Sequence, residues 1–329
     1  MSEAIPEGFE NVACLLCGGG TFAVTHKGRD WILHHPVTLR IVRCNDCGLH
    51  YTNPRPTLDR LGDYYPGEYA PYQRDDGDSR GRGWLKDRVL REAYGAPSRR
   101  PSGIGRAAAR AAMLVKSPRS FGFGVAWRGE GKLLDFGCGA GKFLRRMDSV
   151  GWDVTGLDFS TSAVESVRKS GLKALQGTLP HPELGPASFD VVTLRHALEH
   201  VPAPLEVLRA VRELLRAGGQ VVIQVPNYAS WERDYFGDAS PLLDLPRHLT
   251  HFTPATLRDM LTAAGFASID VRQVCRSNWL KKAAKQAGRR GSRRMGDRVL
   301  RWSPACRAVA LVCRWRGRGN EIVAIAERG

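Results

Sequence analysis

Two pairs of cysteines, Cys14-Leu15-Leu16-Cys17 and Cys44-Asn45-Asp46-Cys47, lie 26 residues apart, and each pair is followed by glycine. A turn of this length holds two thiolates about one tetrahedral edge apart. The glycine lets backbone amides face the sulfurs, and two such knuckles close a four-sulfur shell around zinc. With every position filled by protein, such an ion holds structure and its loss unfolds the module. A redox dithiol is the other use of the same spacing.

A second constellation begins at Asp135. Gly137, Gly139 and Gly141 follow it at alternate positions, and Asp158 stands 23 residues beyond it. Glycines between a strand and a helix allow close backbone approach to a ligand, and an acid at the end of the next strand reaches ribose hydroxyls. A dinucleotide fingerprint starting at Gly137 requires glycine at position 142, where this chain has Lys142.

The histidines offer acid–base chemistry near neutral pH. His248, in Leu245-Pro246-Arg247-His248-Leu249-Thr250-His251-Phe252, follows a strand at the sheet edge where ligands bind and is the candidate general base. The alternative role is to pin its loop through backbone hydrogen bonds. His251 leads into a helix start at Thr253-Pro254. His196, Glu199 and His200 stand at i, i+3 and i+4, so a helix would place them on one face able to hold a divalent metal; packing at a helix start is the plainer role.

The elements that must position these residues follow from pattern. Residues 22–25 and 37–42 read as strands between the cysteine pairs, and 58–65 as a short helix ending in Tyr64 and Tyr65. From Lys132 onward strands and helices alternate. Strands at 133–136, 152–158, 188–194 and 220–225 are separated by helices at 142–150, from Ser160, and at 205–215, the last stopping at Gly218-Gly219. Further strands read at 267–274 and 321–326. Such alternation implies a parallel, doubly wound sheet.

The Asp135–Gly141 motif with Asp158 resembles the first motif of class I S-adenosylmethionine-dependent methyltransferases, and the resemblance runs from Lys132 to Ala326. It implies an α/β fold with a Rossmann-like seven-stranded doubly wound sheet, the seventh strand antiparallel, beside a small N-terminal zinc-ribbon-like module. It also implies that Asp135, Gly137, Gly139 and Gly141 lie along the methionine part of S-adenosylmethionine and that Asp158 binds the ribose. Phe159, Thr178 and Leu179 would border adenine, and Leu194 would end the fourth strand near the sulfonium. The whole chain is similar to bacterial methyltransferases with an N-terminal zinc-binding domain, among them deoxysugar C-methyltransferases and members associated with cell-surface glycan synthesis. Zinc-containing ribosomal RNA guanine methyltransferases are a second comparison, although their zinc set includes a histidine. Ubiquinone-biosynthesis O-methyltransferases are similar around Leu198-Glu199-His200, with glutamate at the position matched by His196.

Composition bounds the remaining questions. The 329 residues are 43% apolar, which suits a globular chain of about two domains. No apolar run reaches the roughly 18–20 residues that cross a bilayer, and the first residues lack a signal-peptide pattern, so a cytoplasmic protein is expected. The net charge of +16 is unevenly spread: −2 over 1–73, +8 over 74–128, −3 over 129–271 and +13 over 272–329. The boundaries expected are a zinc module at 1–73, a basic helical linker at 74–128 and a methyltransferase domain at 129–329, with a basic helical insertion at 275–320 over the cofactor mouth. In that insertion Leu280, Ala283, Ala284 and Ala287 share a face opposite Lys281, Lys282, Lys285 and Arg289. The charge points to an anionic small-molecule, nucleotide-sugar, glycan or lipid-linked acceptor, or to peripheral contact of 279–316 with the inner face of the membrane. RNA is the rival acceptor, and a noncatalytic scaffold the third reading.

Overall fold

The computed structural model describes residues 5–31, 33, 37–65, 83–115 and 124–329. The parts of the expected linker at 74–82 and 116–123 lie outside them. The chain forms two compact units, Met1–Pro66 with His196–Arg209 and Ile223–Ala326, and Gly67–Arg195 with Ala210–Val222 and Glu327–Gly329.

The strands are β1 (Phe9–Glu10), β2 (Phe22–Arg29), β3 (Thr38–Cys44), β4 (His50–Thr52), β5 (Arg55–Pro56), β6 (Lys132–Phe136), β7 (Asp153–Asp158), β8 (Lys173–Gln176), β9 (Phe189–Arg195), β10 (Leu215–Pro226), β11 (Thr250–His251), β12 (Ala267–Val274) and β13 (Glu321–Glu327). Seven of them make one sheet in the order β12-β13-β10-β9-β6-β7-β8. β6 pairs in parallel with β7 and β9, and β7 with β8. Backbone bonds from Gly218 to Arg328 and from Asn227 to Asn320 make β13 antiparallel to β10, as expected for the seventh strand. Leu133, Leu134, Val191, Val192, Ile223 and Val225 are buried, the continuous apolar content of strands covered on both faces.

Helices connect these strands. α1 (Trp84–Tyr94) and α2 (Gly103–Val115) come first, followed by α3 (Lys142–Asp148), α4 (Thr161–Lys169) and α5 (Pro204–Leu214). The Trp152 indole donates to the Tyr94 carbonyl at 2.7 Å, anchoring the end of α1 beside β7. α4 starts where expected, with the Ser160 hydroxyl accepting from the Ala163 amide. One reading fails at the end of α5. Gly218-Gly219 is not a helix stop, because β10 begins at Leu215 and both glycines pair with Arg328 at the end of β13.

The cysteine-bearing unit has its own four-stranded sheet, ordered β11-β4-β3-β2. β11 comes from two hundred residues downstream and pairs Thr250 with Tyr51 and His251 with His50. Tyr228, Leu243 and Leu245 pack with Leu39 and Ile41 of β3. The same unit carries α6 (Trp231–Phe236), α7 (Pro254–Ala263), α8 (Ser277–Arg289), α9 (Met295–Val299) and α10 (Ser303–Trp315). α7 has the expected start, with Thr253 and Thr256 forming a capping box and Pro254 in the first turn. α8 buries Leu280, Ala283, Ala284 and Ala287 against α6 and α10 and leaves Lys282, Lys285 and Arg289 exposed, as its pattern predicts.

Candidate functional site

The glycine-rich turn sits between β6 and α3. Gly137, Gly139 and Gly141 have φ of 71°, 51° and 78°, backbone that glycine adopts without strain. A Cβ at Gly141 would lie 2.7 Å from Val167 Cγ2, so the turn is also tight against α4. Asp158, buried at the end of β7, accepts the Gly139 amide on one carboxylate oxygen at 2.8 Å and the Ser160 amide on the other at 3.0 Å. The carboxylate has about four lone-pair sites, so acceptor capacity remains for a hydroxyl donor. Burial pushes the Asp158 pKa up against the pull of the Ser160, Gly139 and Phe159 amides.

Asp135 lies one strand over, in register with Gly156 of β7 and Thr193 of β9. The Thr193 hydroxyl donates to it at 2.6 Å, and burial raises its pKa to about 6. Gly156 must be small here, because a Cβ would come 2.8 Å from both Cys138 Sγ and Leu144 Cδ1. The loop after β8 is tied to the same acid, since the Gly177 amide donates to the Asp158 carbonyl at 2.9 Å. That loop carries exposed Thr178 and buried Leu179, while Phe159 is 53% exposed. Leu194 is buried at the end of β9, and the Arg195 guanidinium stacks 4.6 Å over the Phe143 ring. The residues expected to cradle a nucleoside thus gather within one unit, with glycine backbone and an acid that retains free acceptor capacity. Their glycine backbone and free acceptor capacity suit the donor–acceptor chemistry of S-adenosylmethionine.

In the other unit, the Nδ1 of buried His248 lies 2.8 Å from the Leu242 carbonyl. A carbonyl only accepts, so Nδ1 is the donor in this contact and Nε2 is the ring nitrogen left to accept a proton. His200 is held alike, its Nδ1 3.0 Å from the Arg247 carbonyl and 3.0 Å from the Tyr65 hydroxyl. Burial, then the neighbouring His248, lowers the His200 pKa to about 4. Glu199 is buried, and its carboxylate meets His196 Nδ1 at 3.4 Å. Ligand atoms of Glu199, His200 and His248 lie within 4.8 Å of one another. Three acceptors brought together in this way can take up a proton or a divalent cation.

The single helical face expected for His196, Glu199 and His200 does not form. His196 has φ of 52° and lies outside the one 3-10 turn, Leu198–His200. Its imidazole instead joins two carboxylates, 3.0 Å from Glu321 and 3.4 Å from Glu199. Burial disfavours its charge, but these carboxylates outweigh that and push its pKa up to about 9. Glu321 also receives Arg276 at 2.5 Å and Gln224 at 3.2 Å.

The four cysteine sulfurs lie within 4.8 Å of one another, with Cys14–Cys47 at 3.4 Å and Cys17–Cys44 at 3.6 Å. A tetrahedral shell with Zn–S bonds of about 2.3 Å has S···S edges of roughly 3.8 Å, so the donor set fits zinc. The knuckles share their backbone bonds. Gly18 donates to Cys14 and Gly48 to Cys44, both glycines at positive φ. Strand β4, just beyond the second knuckle, reaches the His248 loop. The Thr52 hydroxyl donates to the His248 carbonyl at 2.7 Å, and the Thr52 amide to the Leu249 carbonyl at 2.9 Å.

Several residues of this arrangement carried no sequence signal. Thr52 and Tyr65 are far from His248 and His200 in the chain. The same holds for Asp30, which pairs with fully buried Arg247 at 2.9 Å across 217 positions. Glu321 is 125 positions from His196.

A family model described as a methyltransferase domain matches residues 99–271. The chain is 33% identical over 144 residues to the ubiquinone biosynthesis O-methyltransferase of Pectobacterium carotovorum, covering 40% of this chain and 60% of that protein. It is 38% identical over 106 residues to the protein of the same name from Photorhabdus laumondii, covering 29% and 43%. The chain therefore spans about two fifths to three fifths of the length of these curated relatives. Among solved structures, a SAM-dependent methyltransferase from Archaeoglobus fulgidus aligns over 68% of this chain and 94% of its own, with 19% identity and a TM-score of 0.44.

Proposed function

The chain belongs to the methyltransferase-domain family, and from that membership we propose that it catalyses S-adenosylmethionine-dependent methyl transfer to an anionic small-molecule acceptor, free or linked to a nucleotide, glycan or lipid. The observation that carries this reading is Asp158, fixed by the Gly139 and Ser160 amides with lone pairs to spare. S-adenosylmethionine supplies a methyl group on a positively charged sulfur. Asp158 would accept from the ribose hydroxyls, Gly137, Gly139 and Gly141 would admit the methionine portion, and Phe159, Thr178 and Leu179 would border adenine.

His248 is the proposed base, taking the acceptor's proton on Nε2 directly or through one water. A cavity of about 10 Å³, lined by Tyr228, Leu242, His248 and His251, is about the space of that water. The relatives named O-methyltransferases support oxygen as the methylated atom. The four cysteines are proposed to hold one structural zinc.

Titration calorimetry with S-adenosylmethionine tests the reading. Binding is expected in the wild type and its loss in Asp158→Ala; a folded wild type that releases no heat would overturn the enzyme assignment. Transfer of labelled methyl to a lipid and polysaccharide fraction, with total RNA in parallel, tests the acceptor class. Label in RNA alone would replace that choice.

A further inference from the structure

The insertion between β12 and β13 presents two apolar stripes to water. Met295, Val299 and Trp302 recur at steps of four and three residues along α9 and its last turn, and are 79, 50 and 66% exposed. On α10, Leu311 and Trp315, four residues apart, form a second stripe with Val312 beside them, at 68, 83 and 49% exposed. Arg298 and Arg301 flank the first stripe, and Arg307 and Arg314 the second; all four are exposed. The opposite faces are already packed, because Leu300, Cys306 and Ala310 join the α8 residues in one core cluster. The exposed stripes are therefore surplus to the fold's own core.

Charge selects the partner. Residues 276–319 contain fourteen Lys and Arg and a single acid, Asp297, which is buried and bonded to Ser292. We propose that α9 and α10 form a docking face for a bilayer surface rich in anionic lipid headgroups, with Trp302, Trp315 and Leu311 entering the boundary between headgroups and acyl chains. Indole rings favour that boundary, aliphatic side chains gain from acyl chains, and arginines pair with headgroup phosphates. A nucleic acid would use the arginines and tryptophans but gives Met295, Val299, Leu311 and Val312 nothing to bury against. The contact is peripheral, since no helix among the described residues is long and apolar enough to cross a membrane.

Vesicle sedimentation of the full chain without S-adenosylmethionine tests this independently of methyl transfer. The protein is expected to pellet with phosphatidylcholine vesicles containing about one third phosphatidylglycerol and to stay in solution with pure phosphatidylcholine. Trp302→Ala with Trp315→Ala, and separately Arg298→Glu with Arg301→Glu, should each lower partitioning at least about tenfold. Both pairs are exposed, so the unfolding midpoint should match the wild type. Absence of binding to the anionic vesicles, or unchanged partitioning in both variants, would overturn the proposal. So would a Trp-pair variant whose only losses are binding to single-stranded RNA or self-association in the ultracentrifuge.

Discussion

The 2.8 Å contact between His248 Nδ1 and the Leu242 carbonyl oxygen decides which ring nitrogen is left to act. With Nδ1 committed as a donor, Nε2 is the proton acceptor, as a base held in one orientation requires. His248→Ala is expected to lower kcat by roughly 10²- to 10⁴-fold at saturating S-adenosylmethionine and acceptor, with cofactor affinity unchanged by calorimetry. A loss smaller than about threefold would assign His248 the loop-pinning role instead.

The cofactor side was legible because its residues are local. Asp135 through Gly141 form one turn, and Asp158 ends the next strand, so spacing alone placed them together. The histidine side was legible only in part. The i, i+3, i+4 spacing of His196, Glu199 and His200 suggested a shared helical face, but the positive φ of His196 turns its ring to Glu321, 125 residues away. The β4–β11 pairing escaped notice for the same reason. Two-residue strands carry no periodicity, and long-range partners leave no local trace.

The buried Asp135 carboxyl gives a stability test. Its pKa is raised from the ordinary carboxylate value to about 6, chiefly by burial. Its contribution is therefore fully present below about pH 4 and lost as pH rises through about 6. Asp135→Asn keeps an acceptor for the Thr193 hydroxyl and removes the buried charge. Urea unfolding should show the variant more stable than wild type at pH 7.5, by roughly 1–3 kcal/mol, with the difference vanishing near pH 4. A variant no more stable than wild type at pH 7.5 would refute the charge penalty.

His196 shifts stability in the same direction with pH, in a higher window. Its pKa is raised to about 9, so the stability it contributes is complete below about pH 6.5 and fades as pH rises through 9. Glu199 and Glu321 have lowered pKa values, and their contribution fades instead as pH falls. The His196 ring resonance should titrate near pH 9 by NMR, and the wild-type unfolding midpoint should fall between pH 6.5 and 9.5 more steeply than that of His196→Gln. Titration near 6.5 would show that the two carboxylates do not hold the proton.

The cysteine cluster is proposed to influence the base through β4, whose Thr52 meets the His248 loop directly. β4 begins three residues beyond Cys47, and its Thr52 holds the backbone of His248 and Leu249 by two hydrogen bonds. One zinc per chain is expected by elemental analysis. Removing it with a chelator should lower the unfolding midpoint, because thiolates without an ion repel and the knuckles lose their cross-link. The loss should extend to kcat through Thr52 while S-adenosylmethionine still binds, since Asp135, Asp158 and the glycine-rich turn belong to the other unit. Thr52→Val separates the two effects. It keeps the zinc and the amide bond to Leu249 but removes the hydroxyl contacts to the His248 carbonyl and the His251 ring, so kcat should fall with metal content unchanged. Equal activity of the Thr52→Val and wild-type enzymes, at full zinc occupancy, would break the proposed link.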